Sequence, residues 1–194
     1  KIIIVSSDII KNEFYKNISN PGDSFNCTGD TYINMLPKNI TNITQKDLDQ
    51  KINEYYTFVT HYTFGIRLLE NISKLSQKDT ENYIKNNYSD NVIIIDEAQH
   101  LRGKFDISDK KKKGEKPPHE ALELISKYAD NVKIILLTAT PMYDNPTEIL
   151  WLINILIRIN KDNIDELEEN DIFYGENKGY SFKPGGEKKF IRAI

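Results

Sequence analysis

In the stretch NVIIIDEAQHL, residues 91–101, four apolar residues run straight into two adjacent carboxylates, Asp96 and Glu97. A carboxylate just beyond a parallel strand can hold a hydrated Mg²⁺ against phosphate oxygens. Its neighbour can orient or deprotonate a water for in-line attack on a terminal phosphate. Successive strand residues point to opposite sides. The pair can therefore serve metal and water together only where the strand ends and turns. A capping or salt-bridged pair is the competing explanation, and the stretch alone leaves both open.

Other strand ends carry groups of related use. Ser6 and Ser7 close KIIIVSS, Thr60 and His61 close YTFVTHY, and Thr138 and Thr140, flanking Ala139, close NVKIILLTAT. Hydroxyls and helix N-terminal amides can contact nucleic-acid phosphates without reading bases. Ordinary turn residues are the alternative for Ser6, Ser7, Thr60 and His61. Simple strand-end capping is the alternative for the two threonines, and a structural imidazole for His100. Lys110–Lys113 can steer nucleic acid or form a solvated loop. Cys27 has no partner at ligand spacing, and Trp151 reads as core.

The elements that must position these residues follow from the hydrophobic pattern. KIIIVSS is a β-branched run without alternation, the mark of a buried parallel strand. A helix over 9–18 follows, with Asp8 as its cap. Residues 19–45 look irregular, with Pro21-Gly22, Gly29-Asp30 and Pro37 as breakers. A short helix over 45–55 precedes the strand at 56–62. Helices are expected over 64–75 and 78–88, a strand at NVIIIDE, and a polar Lys-rich loop at 102–118. The helix HEALELISKYAD, the strand NVKIILLTAT and a helix over 145–159 complete the series. Pro141 ends the last strand, and Asn145-Pro146 starts the last helix.

Strand and helix thus alternate, which predicts an α/β fold: a parallel sheet with helices on both faces. Ligands in such sheets sit beyond the carboxyl ends of the strands, where the candidate residues gather. The expected organisation is a domain over 1–160. Residues 161–194, acidic and then Gly-rich, read as a linker or mobile extension.

Composition narrows the setting. The chain has 194 residues, a formal net charge of −3 and 39% hydrophobic residues. That suits a packed core but gives no global basic field for nucleic acid, so such binding needs local patches. One cysteine rules out an internal disulfide and leans intracellular. Asn, Ile and Lys supply 71 residues, a bias of AT-rich coding DNA that produces glycosylation sequons by chance. No signal peptide, membrane span or repeat is visible.

DEAQH resembles motif II, the Walker B segment, of DExH-type superfamily 2 helicases and translocases. LLTATP, Leu136–Pro141, resembles their motif III and arrives on the next strand. KIIIVSSDIIKNEF is similar to motif Ia, and TFVTHYTFGIRL to motif Ib of Swi/Snf-like members. CTGDTYI, FVTHYTF, TATPMYDNPTEI and GGEKKFIRAI resemble helicase-like ATPases of large cytoplasmic DNA viruses, including the poxvirus-type early transcription factor ATPase subunit.

The resemblance implies a RecA-like first helicase domain using ATP and Mg²⁺. Asp96 would coordinate the metal through water, and Glu97 would be the catalytic base. Gln99 and His100 would report the γ-phosphate state to Thr138, Ala139 and Thr140. Ser6, Ser7, Thr60 and His61 would meet nucleic acid, DNA before RNA. Implied partners are transcription-machinery subunits, in a virion or host cytoplasm and without a membrane.

No G-x-x-x-x-G-K-[ST] segment is present. The expectation is that it lies upstream of Lys1, with a second RecA-like domain beyond Ile194. These 194 residues alone should then not hydrolyse ATP. The alternatives are a catalytically silent binding platform and the motor subunit of a restriction enzyme.

Overall fold

Four strands make one all-parallel sheet: β1 (Ile2–Ser6), β2 (Tyr56–Thr60), β3 (Val92–Ile95) and β4 (Lys133–Leu136). Their order is β2-β1-β3-β4. The structure is a computed structural model and describes residues 1–19, 28–37, 44–101, 117–142, 146–160, 164–175 and 180–194. Pro21-Gly22, Cys27, Lys110–Lys113 and Asn145 lie outside the described residues. The two central strands, β1 and β3, are the unbroken β-branched runs, because a strand covered on both faces must be apolar at every position.

The pleat sorts the faces. Ile3, Val5, Val59, Ile93 and Ile95 point to one side, where Ile134 and Leu136 join them. Ile2, Ile4, Phe58 and Ile94 point to the other. On the second side lie α1 (Asp8–Ser19), α2 (Thr31–Asn34) and α3 (Gln45–Tyr55), which contribute Ile18, Tyr32, Leu48 and Ile52. On the first side lie α4 (His61–Ile72), α5 (Gln77–Tyr88), α6 (Pro117–Tyr128) and α7 (Glu148–Asn160). Phe64, Leu68, Ile84, Leu122, Ile125 and Ile155 fill that larger core. Each such side chain, fully buried, contributes about 1.5–3 kcal/mol. The parallel sheet with helices on both faces is thus what the strand–helix alternation predicted, and it matches the RecA-like domain that the resemblance implied.

Helix starts follow local chemistry. Thr44 and Asp47 form a reciprocal capping box at α3. Ser76 caps α5 through the Asp79 amide. At α1 the cap is Ser7 and not Asp8: its Oγ accepts from the Ile10 amide at 3.4 Å and its carbonyl from the Lys11 amide at 2.8 Å. Asp8 sits one residue in, where its charge suits the positive helix end. Helix α6 begins two residues before HEALELISKYAD, on Pro117 and Pro118, because proline lacks only an amide that the first turn does not use. Residues 31–34 also form a short helix inside the stretch expected to be irregular.

Beyond α7 the chain packs. Helix α7 is apolar all round because it lies between two layers. Leu152 and Ile155 face the main core. Leu150, Ile153 and Ile157 face Leu167, Ile172 and Phe173. Two short helices, α8 (Glu169–Ile172) and α9 (Gly186–Ala193), belong to this outer layer. Its described residues share a small core with α7. Among the described residues no helix is long and apolar enough to cross a membrane.

Candidate functional site

The strand registers line up one row of residues at the carboxyl edge. Val5 pairs with Val59 and Ile95, and Ile95 with Leu136. The next row is Thr60, Ser6, Asp96 and Leu137. The ladder just reaches it: the Asp96 amide donates to the Val5 carbonyl at 2.9 Å and the Leu137 amide to the Ile95 carbonyl at 2.8 Å. Then the chain turns. Glu97 takes φ +51°, the Ala98 amide returns to the Leu137 carbonyl at 2.9 Å, and Ala98–Leu101 forms one tight turn of 3₁₀ helix. Buried Ala98 and Leu101 anchor that turn in the main core, which leaves Asp96, Glu97 and Gln99 half-buried at the rim.

A hydrogen-bond chain joins this turn to β4. The Thr138 hydroxyl donates to Gln99 Oε1 at 2.5 Å. The Gln99 amide group donates to Glu97 Oε2 at 2.5 Å. The Thr138 oxygen also accepts from the Thr140 amide at 3.1 Å. Thr138 thus bonds in both directions, fixing the TAT turn while orienting Gln99, and Gln99 in turn holds the Glu97 carboxylate. Ala139 and Thr140 are exposed beside it. Among the described residues the Asp96 carboxylate makes no hydrogen bond or ion pair, so its oxygens are free to accept from water.

Two imidazoles stand next to the acids. His61 Nε2 lies 2.7 Å from the Asp96 carbonyl. A carbonyl only accepts, so Nε2 carries the hydrogen in the neutral ring. Burial pulls His61 below the ordinary histidine range, against the opposing effect of that hydrogen bond, and nearby His100 lowers it further. The His100 ring meets His61 edge-on at 6.2 Å and is exposed. The side chain bonded to the threonine segment is that of Gln99.

The other strand-tip residues divide by burial. Ser6 is fully buried, and its hydroxyl donates to the Ser7 carbonyl at 3.2 Å. Ser7 is exposed. Thr60 caps α4: its oxygen accepts from the Thr63 amide at 3.2 Å, and its hydroxyl donates to Thr63 Oγ1 at 2.8 Å.

Among the described residues no group of three or more His, Cys, Asp or Glu side chains could hold a metal alone. A hydrated Mg²⁺ does not need one. It keeps several waters and takes one or two carboxylates with substrate phosphates, a demand that the free oxygens of Asp96 fit. A cavity of about 240 Å³ lies elsewhere, lined by Asp165, Glu166, Glu168, Asp171, Lys189 and Arg192. Three of those six charges are paired nearby: Lys189 with Asp171 at 2.6 Å, and Glu166 with Arg158 at 2.5 Å.

A family model, Type III restriction enzyme, res subunit, matches residues 3–143, the stretch that contains the sheet and both segments of the hydrogen-bond chain. Over 195 residues the chain is 28% identical to a protein of Invertebrate iridescent virus 3 named as a helicase, 087L; the match covers 100% of the chain and 17% of that protein. It is 28% identical over 220 residues to L377 of Acanthamoeba polyphaga mimivirus, named as an ATP-dependent RNA helicase, covering 98% of the chain and 17% of the relative. A second mimivirus protein so named, R563, is 27% identical over 111 residues, covering 57% of the chain and 15% of the relative. The chain therefore spans less than a fifth of the length of these relatives. No solved structure matches it.

Proposed function

The chain belongs to the Type III restriction enzyme res-subunit family, and from that premise we propose that it is the part of a nucleic-acid-dependent ATPase motor that meets the terminal phosphate of ATP. It is a superfamily 2 helicase-like domain related to large-DNA-virus proteins named as helicases. The observation that carries the reading is the chain from Thr138 through Gln99 to Glu97. It ties the acid pair of one strand tip to the threonine segment of the next.

In this reading Glu97 takes the proton of the attacking water. Gln99 keeps its carboxylate aimed and passes any change in its position to Thr138. Asp96, whose carboxylate has no hydrogen-bond or ion-pair partner among the described residues, receives the hydrated metal. When bound, Mg²⁺ supplies charge neutralisation at the terminal phosphates. Loss of the γ-phosphate then alters what Glu97 and Gln99 can hold, and the threonine turn moves with them. Exposed Ser7 and the Thr60 end of β2 stand on the same edge and suit backbone phosphates.

This reading requires a phosphate loop supplied from outside these 194 residues. Two features support a position beside β4. That strand borders the sheet among the described residues. Its Ile135 and, just past its end, Leu137, on the face away from α7, are 45% and 40% exposed. DNA is preferred to RNA as the track, and viral transcription as the setting, on the Swi/Snf-like and poxvirus-type resemblances of TFVTHYTF and TATPMYDNPTEI.

The test is steady-state ATP hydrolysis by the full-length protein, with duplex DNA, single-stranded DNA or RNA added, in wild type and Glu97→Gln. Stimulated hydrolysis that falls by at least about 10²-fold in the variant is expected for a general base. Equal stimulated rates would remove Glu97 from that role. No hydrolysis from the full-length wild type would favour the silent platform.

A further inference from the structure

His61 follows the tip of β2, and β1 lies between β2 and β3. Neighbouring strands are about 4.8 Å apart, so the two flanking tips are separated by roughly twice that distance. The imidazole nevertheless reaches the Asp96 carbonyl at 2.7 Å. It spans the tip of β1 above buried Ser6. Among the described residues no other side-chain hydrogen bond joins the β2 side to the acid-bearing turn.

The peptide that accepts this bond is the one joining the two acids. Its orientation is set by ψ of Asp96 and φ of Glu97, the latter at +51°. A residue other than Gly, Asn or Asp adopts such an angle uncommonly and at a cost. The Asp96 amide is still in the ladder, bonded to Val5. Its carbonyl belongs to the peptide that leaves the strand, and a half-buried carbonyl there needs a donor. His61 is that donor.

We propose that His61 is a positioning residue for hydrolysis: its Nε2–H clamps the Asp96–Glu97 peptide and so fixes the directions of both carboxylates. The inference rests on the proposed role of those carboxylates. It gives His61 a different task from the phosphate contact expected at a strand tip, since the ring nitrogen that would donate to a phosphate is engaged by the Asp96 carbonyl. The clamp also links the start of α4, beside Thr60, to the acid pair. A shift of α4 is thereby transmitted to the peptide between the acids.

Two substitutions isolate the donor. His61→Met keeps the reach and most of the volume but removes the N–H. His61→Gln restores a donor at a similar distance. In the full-length protein, at saturating duplex DNA, His61→Met is expected to lower kcat about 10- to 100-fold, the range for losing a group that orients a metal-linked carboxylate. KM for MgATP should stay within about twofold, and His61→Gln should recover most of the rate. Duplex-DNA affinity, read by fluorescence anisotropy without nucleotide, should be unchanged in both. Thermal unfolding of both variants provides the check on folding.

A weakened DNA affinity with kcat retained at saturation would make His61 a phosphate contact and overturn the proposal. So would wild-type kcat in His61→Met, or failure of a folded His61→Gln to recover. Glu97→Gln, run beside them, separates the two levels. If it leaves hydrolysis intact, the site reading itself fails. If it abolishes hydrolysis while His61→Met does not lower kcat, only the clamp fails.

Discussion

Glu97 sits in the left-handed region, where an ordinary side chain costs about 1–2 kcal/mol. Asp90 and Asn131 also have positive φ, but their short polar side chains tolerate it and bond each other at 2.7 Å. Glu97 and Tyr180 are the longer side chains at positive φ among the described residues, so the proposed use of the Glu97 carboxylate is put to a test at this position. Glu97→Gly is expected to leave the unfolding midpoint unchanged or higher while removing hydrolysis. A midpoint lower by several degrees would show that the turn is unstrained and that Glu97 is structural. The hydroxyl of Thr138 gives a second test. Thr138→Val removes the bond to Gln99 and the acceptor for the Thr140 amide at nearly constant volume. A bond in a chain ending on a charged group is worth about 1.5 kcal/mol, so kcat should fall about tenfold, with Thr138→Ser close to wild type. Unchanged turnover in a folded Thr138→Val would break the proposed link between the two strand tips.

The elements that carry these residues were legible to different degrees, for physical reasons. Strands β1 and β3 stood out because burial on both faces forces unbroken Ile and Val. The gathering of Asp96, Thr138 and Thr60 at one edge followed from parallel connection alone. The bond from His61 to Asp96 did not, because it joins residues 35 apart across an intervening strand that no periodicity reports. Helices α8 and α9 were hidden by composition: Gly, Lys and Glu dilute an apolar set of Ile172, Phe173 and Phe190 that is coherent only once folded against α7. Gly65 was likewise unremarkable until α4 and α6 were placed. A Cβ there would lie 2.3 Å from backbone atoms of both Pro117 and Pro118, so the helices can meet only over a glycine. Gly65→Ala must push α6 away and should cost about 1–3 kcal/mol, measured by urea unfolding. A loss below about 0.5 kcal/mol, the range of an ordinary surface substitution, would show that the start of α6 yields freely.

At the scale of the whole chain, two attachments decide what this domain does beyond its sheet. The first holds the outer layer to α7. Arg158 bonds Glu166 at 2.5 Å and also Glu123, and Glu123 accepts from the Trp151 indole at 2.5 Å. The hydrogen bond from Arg158 holds Glu166 below its ordinary value of 4.5. A depressed carboxylate stabilises the fold above its unfolded value, and that stability is lost as pH falls through the depressed folded value. The groups are partly exposed, so the contribution is under about 1 kcal/mol. Trp151 is the single tryptophan, and its emission should change on acidification below 4.5 in wild type and lose that step in Arg158→Ala. The second attachment is the bare face of β4. Ile135 and, just past the strand end, Leu137 are 45% and 40% exposed, and Leu137 adjoins Thr138 in the chain. If the strand and helix of a phosphate loop cover them in the full-length protein, two charges there must be felt only in that context. Ile135→Lys with Leu137→Lys should leave the unfolding midpoint of the 194-residue chain nearly unchanged and reduce its self-association by light scattering. In the full-length protein the same pair should lower both midpoint and hydrolysis, because each lysine would be forced under apolar cover. Full activity with both lysines in place would mean that this face stays open to solvent, and that the phosphate loop approaches Asp96 and Glu97 from another side.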